Sequence, residues 1–291
     1  MEDGVLWRET TLRANGLAFH AVVAGPEDGP LVLLLHGFPE FWYGWRHQIG
    51  ALAAAGYRVV APDQRGYALT DKAGPYDLDT LVGDVVHLIQ ACGQTNAFVA
   101  GHDWGAAVAW HLVDTHPDRV RRLAILNVPH PQVIERAILS GNWRQALKSW
   151  YILFFQLPWL PEYLLSLNDF HPLRETLRGT AWPQTFSQAD LDEYAWAWRQ
   201  PGALSAMLGW YRAHVRLVTR RRGPTAPVQP IQTPTLILWG DQDVALEKSL
   251  ADESLKRLEK GRLVHFPDAT HWVHEDNPAE VTSLLPKHFK G

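Results

Sequence analysis

Ala97-Phe98-Val99-Ala100-Gly101-His102-Asp103-Trp104-Gly105-Ala106-Ala107-Val108-Ala109-Trp110 is the stretch that decides the fold. An apolar run of strand type ends in Gly-His-Asp-Trp-Gly, and an apolar helical run begins at once. Strand, sharp turn and helix in direct succession form the context in which a nucleophile is presented at the turn. The two glycines fit because such a turn brings the incoming strand and the outgoing helix too close for a Cβ. The residue at the apex is Asp103. A serine attacking a saturated carbon would leave an ether, which an activated water cannot cleave. A carboxylate leaves an ester, which is hydrolysed at its carbonyl, so an aspartate here points to alkyl transfer at sp3 carbon through a covalent intermediate. Taken alone, the stretch reads equally well as an ordinary strand–helix turn with Asp103 capping the helix.

The flanking chain supplies the context. Residues 5–25 read as two strands joined at Ala14-Asn15-Gly16, a strong hairpin signal. Residues 31–35 (Leu-Val-Leu-Leu-Leu) are a short continuous apolar run, expected as a strand buried on both faces. They lead into His36-Gly37-Phe38-Pro39-Glu40. Helix is expected over 45–55, strand over 57–62, helix over 78–91 and strand over 120–127. This alternation predicts an α/β fold with a mostly parallel sheet flanked by helices.

The rhythm breaks at Pro129-His130-Pro131. From there to about Pro230 the pattern is helical, with helices expected over 132–139, 143–155, 161–167, 188–199 and 201–219. Arg220-Arg221-Arg222-Gly223-Pro224 and the prolines at 227 and 230 read as a linker back to the core. The α/β pattern resumes with a strand at 235–240, a helix at 246–258, a strand at 263–266 and a helix at 279–289. The expected organisation is therefore a core of residues 1–128 and 231–291, with an inserted helical cap, or lid, of residues 129–230.

Composition narrows the function. The 291 residues carry a net charge of −4, which implies no polyanion-binding surface and no nucleic-acid partner. The single cysteine, Cys92, rules out an internal disulfide framework and suits a reducing compartment. The N-terminal residues show no basic and apolar leader pattern, and no apolar stretch is long enough to span a bilayer. A cytoplasmic protein without membrane insertion, monomeric or homodimeric, is expected. Seven of the 14 tryptophans lie between Trp143 and Trp210, which suggests an aromatic-lined pocket or lid.

Taken together, His36-Gly37-Phe38-Pro39, Gly101-His102-Asp103-Trp104-Gly105, Asn127-Val128-Pro129-His130-Pro131, Gly240-Asp241-Gln242-Asp243 and His271-Trp272 resemble the epoxide hydrolases of the α/β-hydrolase fold, over essentially the whole chain. The resemblance implies a triad in the order nucleophile, acid, histidine. Asp103 is the nucleophile. Asp243 stands in the loop that carries the family's acid, with Asp241 as the alternative. Asn127, at the position used for the acid in some related dehalogenases, cannot carry the charge. His271 stands where the family's base sits, with His274 as the alternative, and the other histidines, His102 included, carry no assigned role. The main-chain N–H groups of Phe38 and Trp104 would form the oxyanion hole, and in relatives the bond before the residue matching Pro39 is cis. Tyr151 and Tyr211 match the pair of cap tyrosines that bond the epoxide oxygen. A phenol, with a pKa near about 10, donates to the alkoxide while staying protonated at neutral pH.

The implied activity is hydrolysis of a small hydrophobic epoxide to a vicinal diol with water, without metal or organic cofactor. Tyr151, Tyr211, Trp104 and Phe38 would line the substrate site. One departure is Ala68, where relatives commonly carry the second glycine of a loop at the pocket mouth. The nearest competing activity is dehalogenation, which shares the aspartate nucleophile. However, haloalkane dehalogenases place Asn after the glycine matching Gly37, and fluoroacetate dehalogenases place Arg at the position of Trp104. A ligand receptor on the same fold is the non-catalytic alternative.

Overall fold

Eight strands form one sheet in the computed structural model, which describes residues 7–141, 143–220 and 229–291. They are β1 (Arg8–Ala14), β2 (Leu17–Ala24), β3 (Leu31–Leu35), β4 (Arg58–Pro62), β5 (Ala97–His102), β6 (Val120–Leu126), β7 (Thr235–Gly240) and β8 (Gly261–Phe266). Their order across the sheet is β1-β2-β4-β3-β5-β6-β7-β8. The β1–β2 and β2–β4 pairs are antiparallel and the other five are parallel. The hairpin turns at Asn15-Gly16, both at positive φ, the backbone that two-residue hairpin turns require. Val5 and Leu6 of the expected first strand, and the linker arginines and prolines at 221–227, lie outside the described residues.

Side-chain alternation splits the interior in two. Leu31, Leu33 and Leu35 of β3 and Ala97 and Val99 of β5 face one side, with Leu81, Val85, Ile89, Val108 and Leu112. Val32, Leu34, Phe98 and Ala100 face the other, with Trp45, Ile49, Leu52, Val281, Leu285 and Phe289. Both faces of the central strands are covered, so those strands read as unbroken apolar runs rather than alternating ones. The helices flanking the sheet are α1 (Arg46–Ala54), α2 (Leu78–Ala91) and α3 (Trp104–Thr115) before β6. Asp77 caps α2 by accepting from Thr80 N at 3.1 Å.

Between β6 and β7 the described residues are helices and loops: α4 (Pro131–Leu139), α5 (Trp143–Lys148), α6 (Trp150–Phe154), α7 (Leu160–Thr180), α8 (Gln188–Trp198) and α9 (Ala203–Arg220). The helix expected over 143–155 is interrupted at Ser149. The helix expected over 161–167 continues to Thr180 across a break at residues 167–170. Pro172 lies in the first turn after the break, where a missing N–H costs nothing. Asp169 braces the break by accepting from Arg174 Nη2 at 2.9 Å and from Arg199. The Trp198 indole donates to the Pro39 carbonyl at 2.6 Å and the Trp210 indole to the Arg65 carbonyl at 3.0 Å, holding these helices over the carboxyl edge of the sheet. After β7 come α10 (Ser249–Leu255), α11 (Val273–Asp276) and α12 (Pro278–Lys290). The α10 helix is shorter than the expected 246–258 because the amides of Ala245 and Leu246 bond the Asp243 carboxylate instead of opening a helical turn.

All the parallel strands end on one edge, which in open α/β sheets is where ligands bind. The junction of β5 and α3 lies there against the end of β3. A Cβ on Gly101 would come within 2.5 Å of the Gly105 carbonyl oxygen, and one on Gly105 within 2.1 Å of the Leu35 carbonyl oxygen. Gly105→Ala is therefore expected to destabilise by at least about 3 kcal/mol, since the obstacle is buried sheet backbone. Gly83→Ala, inside α2 and only 3.4 Å from the Asn15 side chain, should stabilise by about 0.5–1 kcal/mol. Urea unfolding of both variants checks this; equal effects would mean that the strand–helix contact is not as tight as described.

Candidate active site

Asp103 sits between β5 and α3 with φ 48° and ψ −122°, a conformation rarely adopted by a side-chain-bearing residue. Its carboxylate does not cap α3. It turns towards the end of β3 instead, and Oδ1 accepts from the Phe38 N–H at 2.7 Å. Gly37 makes this approach possible, because a Cβ there would lie 2.2 Å from the Asp103 Cβ. The Phe38–Pro39 bond is cis. Trp104 is the first residue of α3, so its N–H has no intrahelical acceptor and faces the same end of the helix as Asp103.

His271 follows β8 and is buried. Its Nδ1 lies 2.7 Å from Asp243 Oδ2, and its Nε2 lies 3.5 Å from Asp103 Oδ2. Burial opposes a charge on the imidazole, but the Asp243 and Asp103 carboxylates outweigh it and push its pKa up to about 10. Asp243 is also buried, and that burial disfavours its charge. His271, Asn127 and Leu246 overcome the penalty, and the carboxyl sits below its ordinary range. Its Oδ1 accepts from the Ala245 and Leu246 amides at 2.7 and 2.9 Å, and its Oδ2 from Asn127 Nδ2 at 2.9 Å. Asp241, the alternative acid, accepts from Lys248 and lies against His265.

Asn127 therefore has a place in the site that its lack of charge concealed. Its Nδ2 donates to Asp243, while its Oδ1 accepts from the Gly240 N–H at 2.8 Å. It sits at the end of β6 with φ 47°, which suits asparagine better than most residues. His102 also has one. Its Nδ1 lies 2.7 Å from Glu40 Oε2, and its Nε2 lies 2.9 Å from the His271 carbonyl oxygen. His274, the alternative base, is fully buried with Nε2 3.3 Å from Glu40 Oε1. Burial would raise the Glu40 carboxyl, but His274 and His102 hold it well below the usual range. Local sequence gave no signal for the Glu40–His102 pair, since the two residues are joined only by the fold.

Aromatic side chains complete the site. The Tyr211 ring lies 5.3 Å from Phe38, 5.0 Å from Trp104 and 4.9 Å from Phe155, centroid to centroid. Tyr151 lies 5.9 Å from Tyr211 across the same space. Burial first, and then the Asp103 charge, push both phenols up, so both remain O–H donors near neutral pH. Only part of the tryptophan-rich segment faces inward. Trp198 and Trp210 are buried, whereas Trp143, Trp150 and Trp159 are exposed. Ala68 takes φ 34°, the left-handed backbone that the glycine common at that position would adopt more freely.

The chain is similar to known proteins over most of its length. The family described as alpha/beta hydrolase fold matches residues 30–278. The chain is 44% identical to the AB hydrolase superfamily protein YfhM of Bacillus subtilis, over 96% of each chain. It is 38% identical to human Epoxide hydrolase 4, covering 94% of this chain and 76% of that protein. Among solved structures, the epoxide hydrolase of Bacillus megaterium superposes with a TM-score of 0.87 at 27% identity, covering 97% of this chain and all of the other.

The charge on His271 makes folding pH-dependent. A folded pKa near 10 against the ordinary 6.5 means that the folded protein keeps a proton the unfolded chain has lost. The stabilisation is complete below pH 6.5 and disappears as pH rises towards 10. Between pH 7 and 9 the unfolding free energy should fall with a contribution of up to about 1.4 kcal/mol per pH unit from this group. In His271→Gln that slope should be visibly flatter. Denaturant unfolding across this range measures both, and identical slopes would show that His271 is neutral in the folded state.

Proposed function

Because the chain belongs to the epoxide hydrolase family of the α/β-hydrolase fold, we propose that it converts a hydrophobic epoxide to a vicinal diol through an ester on Asp103. The observation that carries this reading is a carboxylate at the strand–helix turn, with His271 on one side and two neutral phenols close enough to feel its charge. In this reading residues 1–128 and 231–291 form the hydrolase core, and residues 129–230 form the cap that contributes Tyr151 and Tyr211.

Asp103 Oδ2 attacks the less hindered ring carbon while that carbon's bond to the ring oxygen breaks. Tyr151 and Tyr211 donate hydrogen bonds to the departing oxygen, which leaves as an alkoxide and takes a proton from one of the phenols to become the first hydroxyl; the proton that His271 then sheds restores that phenol. Oδ1 remains as the ester carbonyl oxygen, 2.7 Å from the Phe38 N–H. Esterification removes the Asp103 charge, one of the two carboxylates that hold the imidazole protonated. His271 then becomes basic enough to lose its proton and serve as a base. It takes a proton from water, and the hydroxide attacks Asp103 Cγ. The Phe38 and Trp104 amides stabilise the oxyanion until the second alcohol leaves. Asp243 orients the imidazole and balances its charge throughout. Water is the only co-reactant, and neither a metal nor an organic cofactor takes part. The lining of Phe38, Trp104, Phe155 and the two tyrosines selects an apolar substituent on the epoxide.

The covalent step has an isotopic signature. In a single turnover in 18O-water, the label should enter the Asp103 carboxylate, and the diol should carry oxygen from the enzyme. Mass spectrometry of diol and peptide reads both, and label in the first-turnover diol would mean direct attack by water.

The tyrosines distinguish epoxide opening from dehalogenation. Tyr151→Phe or Tyr211→Phe should each slow alkylation roughly tenfold to a hundredfold, since a hydrogen bond to a developing charge is worth about 1.5–3 kcal/mol. The double change should nearly abolish it. Reaction with a matched alkyl bromide should be insensitive, because halide leaves without a proton. Pre-steady-state alkylation with the two substrates measures this, and full epoxide activity in the double variant would sink the proposed role of the phenols.

A further inference from the structure

The helices that carry Tyr151 turn apolar surface outward as well as inward. Tyr151 and Phe155 face the Asp103 site, whereas Trp143, Leu147, Trp150 and Leu153 stand 63–72% exposed. Within α5 the interval of four puts Trp143 and Leu147 on one face, and within α6 the interval of three does the same for Trp150 and Leu153. Trp159, further along the chain, is also 70% exposed. Apolar side chains grouped in this way on a water-soluble surface mark a contact site rather than chance exposure.

The segment that carries this face has a one-sided charge. From 136 to 161 the chain contains no Asp or Glu, although acids outnumber bases in the whole sequence. The same stretch holds Arg136, Arg144 and Lys148; Lys148 Nζ turns inward to the Asp243 carbonyl at 3.0 Å, so Arg136 and Arg144 are the exposed cations. The Arg144 guanidinium lies 5.6 Å from the Trp143 ring, so a cation and an indole are offered together. This pattern tells between partners. A two-fold contact with a second copy would set the face against itself and oppose cation to cation, with no acid in the segment to answer them. An anionic lipid surface supplies both complements, negative headgroups for the arginines and an acyl boundary for the indoles and leucines.

We propose that helices α5 and α6 dock on an anionic lipid surface through Trp143, Leu147, Trp150 and Leu153. The segment would lie in the interface rather than cross it, since no described helix is long and apolar enough to span a membrane. Tyr151 follows Trp150 on the same short helix, so the docked face and the aromatic wall around Asp103 are opposite sides of one element. If the proposed activity holds, a lipophilic epoxide dissolved in the bilayer lies one helix thickness from the site. That consequence rests on the proposed function; the docking does not.

Co-sedimentation of the full chain with vesicles tests the docking. Wild type should sediment with mixed phosphatidylcholine–phosphatidylglycerol vesicles, more weakly with pure phosphatidylcholine, and less as salt rises. Trp143→Ser, Leu147→Ser and Leu153→Ser combined should weaken binding at least about tenfold. The triple variant should keep the wild-type melting temperature, because these side chains contact solvent. Arg144→Glu should erase the preference for anionic vesicles. Failure of wild type to bind either vesicle would overturn the proposal. So would a wild-type dimer, seen by light scattering and dissolved by the triple variant, in protein that ignores vesicles. Epoxide turnover in lipid-free solution is scored separately: normal turnover without vesicle binding removes the docking alone, and vesicle binding without turnover supports docking and removes the activity.

Discussion

The closeness of β3, β5 and α3 at Asp103 is the constraint on which the site depends. Three glycines permit it, at 37, 101 and 105, and at each a single methyl would collide with backbone or with Asp103 itself. The result is a carboxylate lifted out of the sheet edge by a backbone conformation that the surrounding packing must maintain. Everything else in the site is placed relative to that carboxylate. The Phe38 amide meets one oxygen, His271 faces the other, and the tyrosines close the space opposite.

Electrostatics then gives the site its order of events. Two carboxylates flank one imidazole and keep it charged while both are ionised. A charged imidazole cannot take a proton from water. In the proposed reaction, only loss of the Asp103 charge releases that hold, so the base is armed by the same bond formation that creates the ester to be hydrolysed. Burial of Asp243, with all its acceptor positions filled by Ala245, Leu246, Asn127 and His271, keeps the second charge fixed throughout.

Much of the core was legible because strands covered on both faces leave continuous apolar runs, as 31–35 and 97–100 do. The helices at 143–180 were less so. Ser149 interrupts a helix without any glycine or proline to announce it, and the chain after Leu167 resumes as helix beyond the expected end. The candidate triad and phenols could be named from motif order and family resemblance. Asn127, Glu40 and His102 could not be given their places, since each acts through bonds to residues distant in sequence. Asn127 was visible only as a missing charge, and the structure gives it the opposite significance, as a donor that stabilises the charge on Asp243.

The bond from His102 to the His271 carbonyl has a mechanical meaning. Asp103 follows β5 and His271 follows β8, with β6 and β7 lying between. Held by the sheet alone, their separation would accumulate the slack of three strand pairings, each about 4.8 Å wide. The loop after β8 returns towards β5, and His102, adjacent to Asp103 in the chain, ties it there with one side chain and one hydrogen bond of 2.9 Å. It works as a tie-rod across the sheet edge. Twisting or breathing of the intervening strands is then taken up elsewhere, and the gap between the Asp103 carboxylate and the His271 imidazole keeps its width.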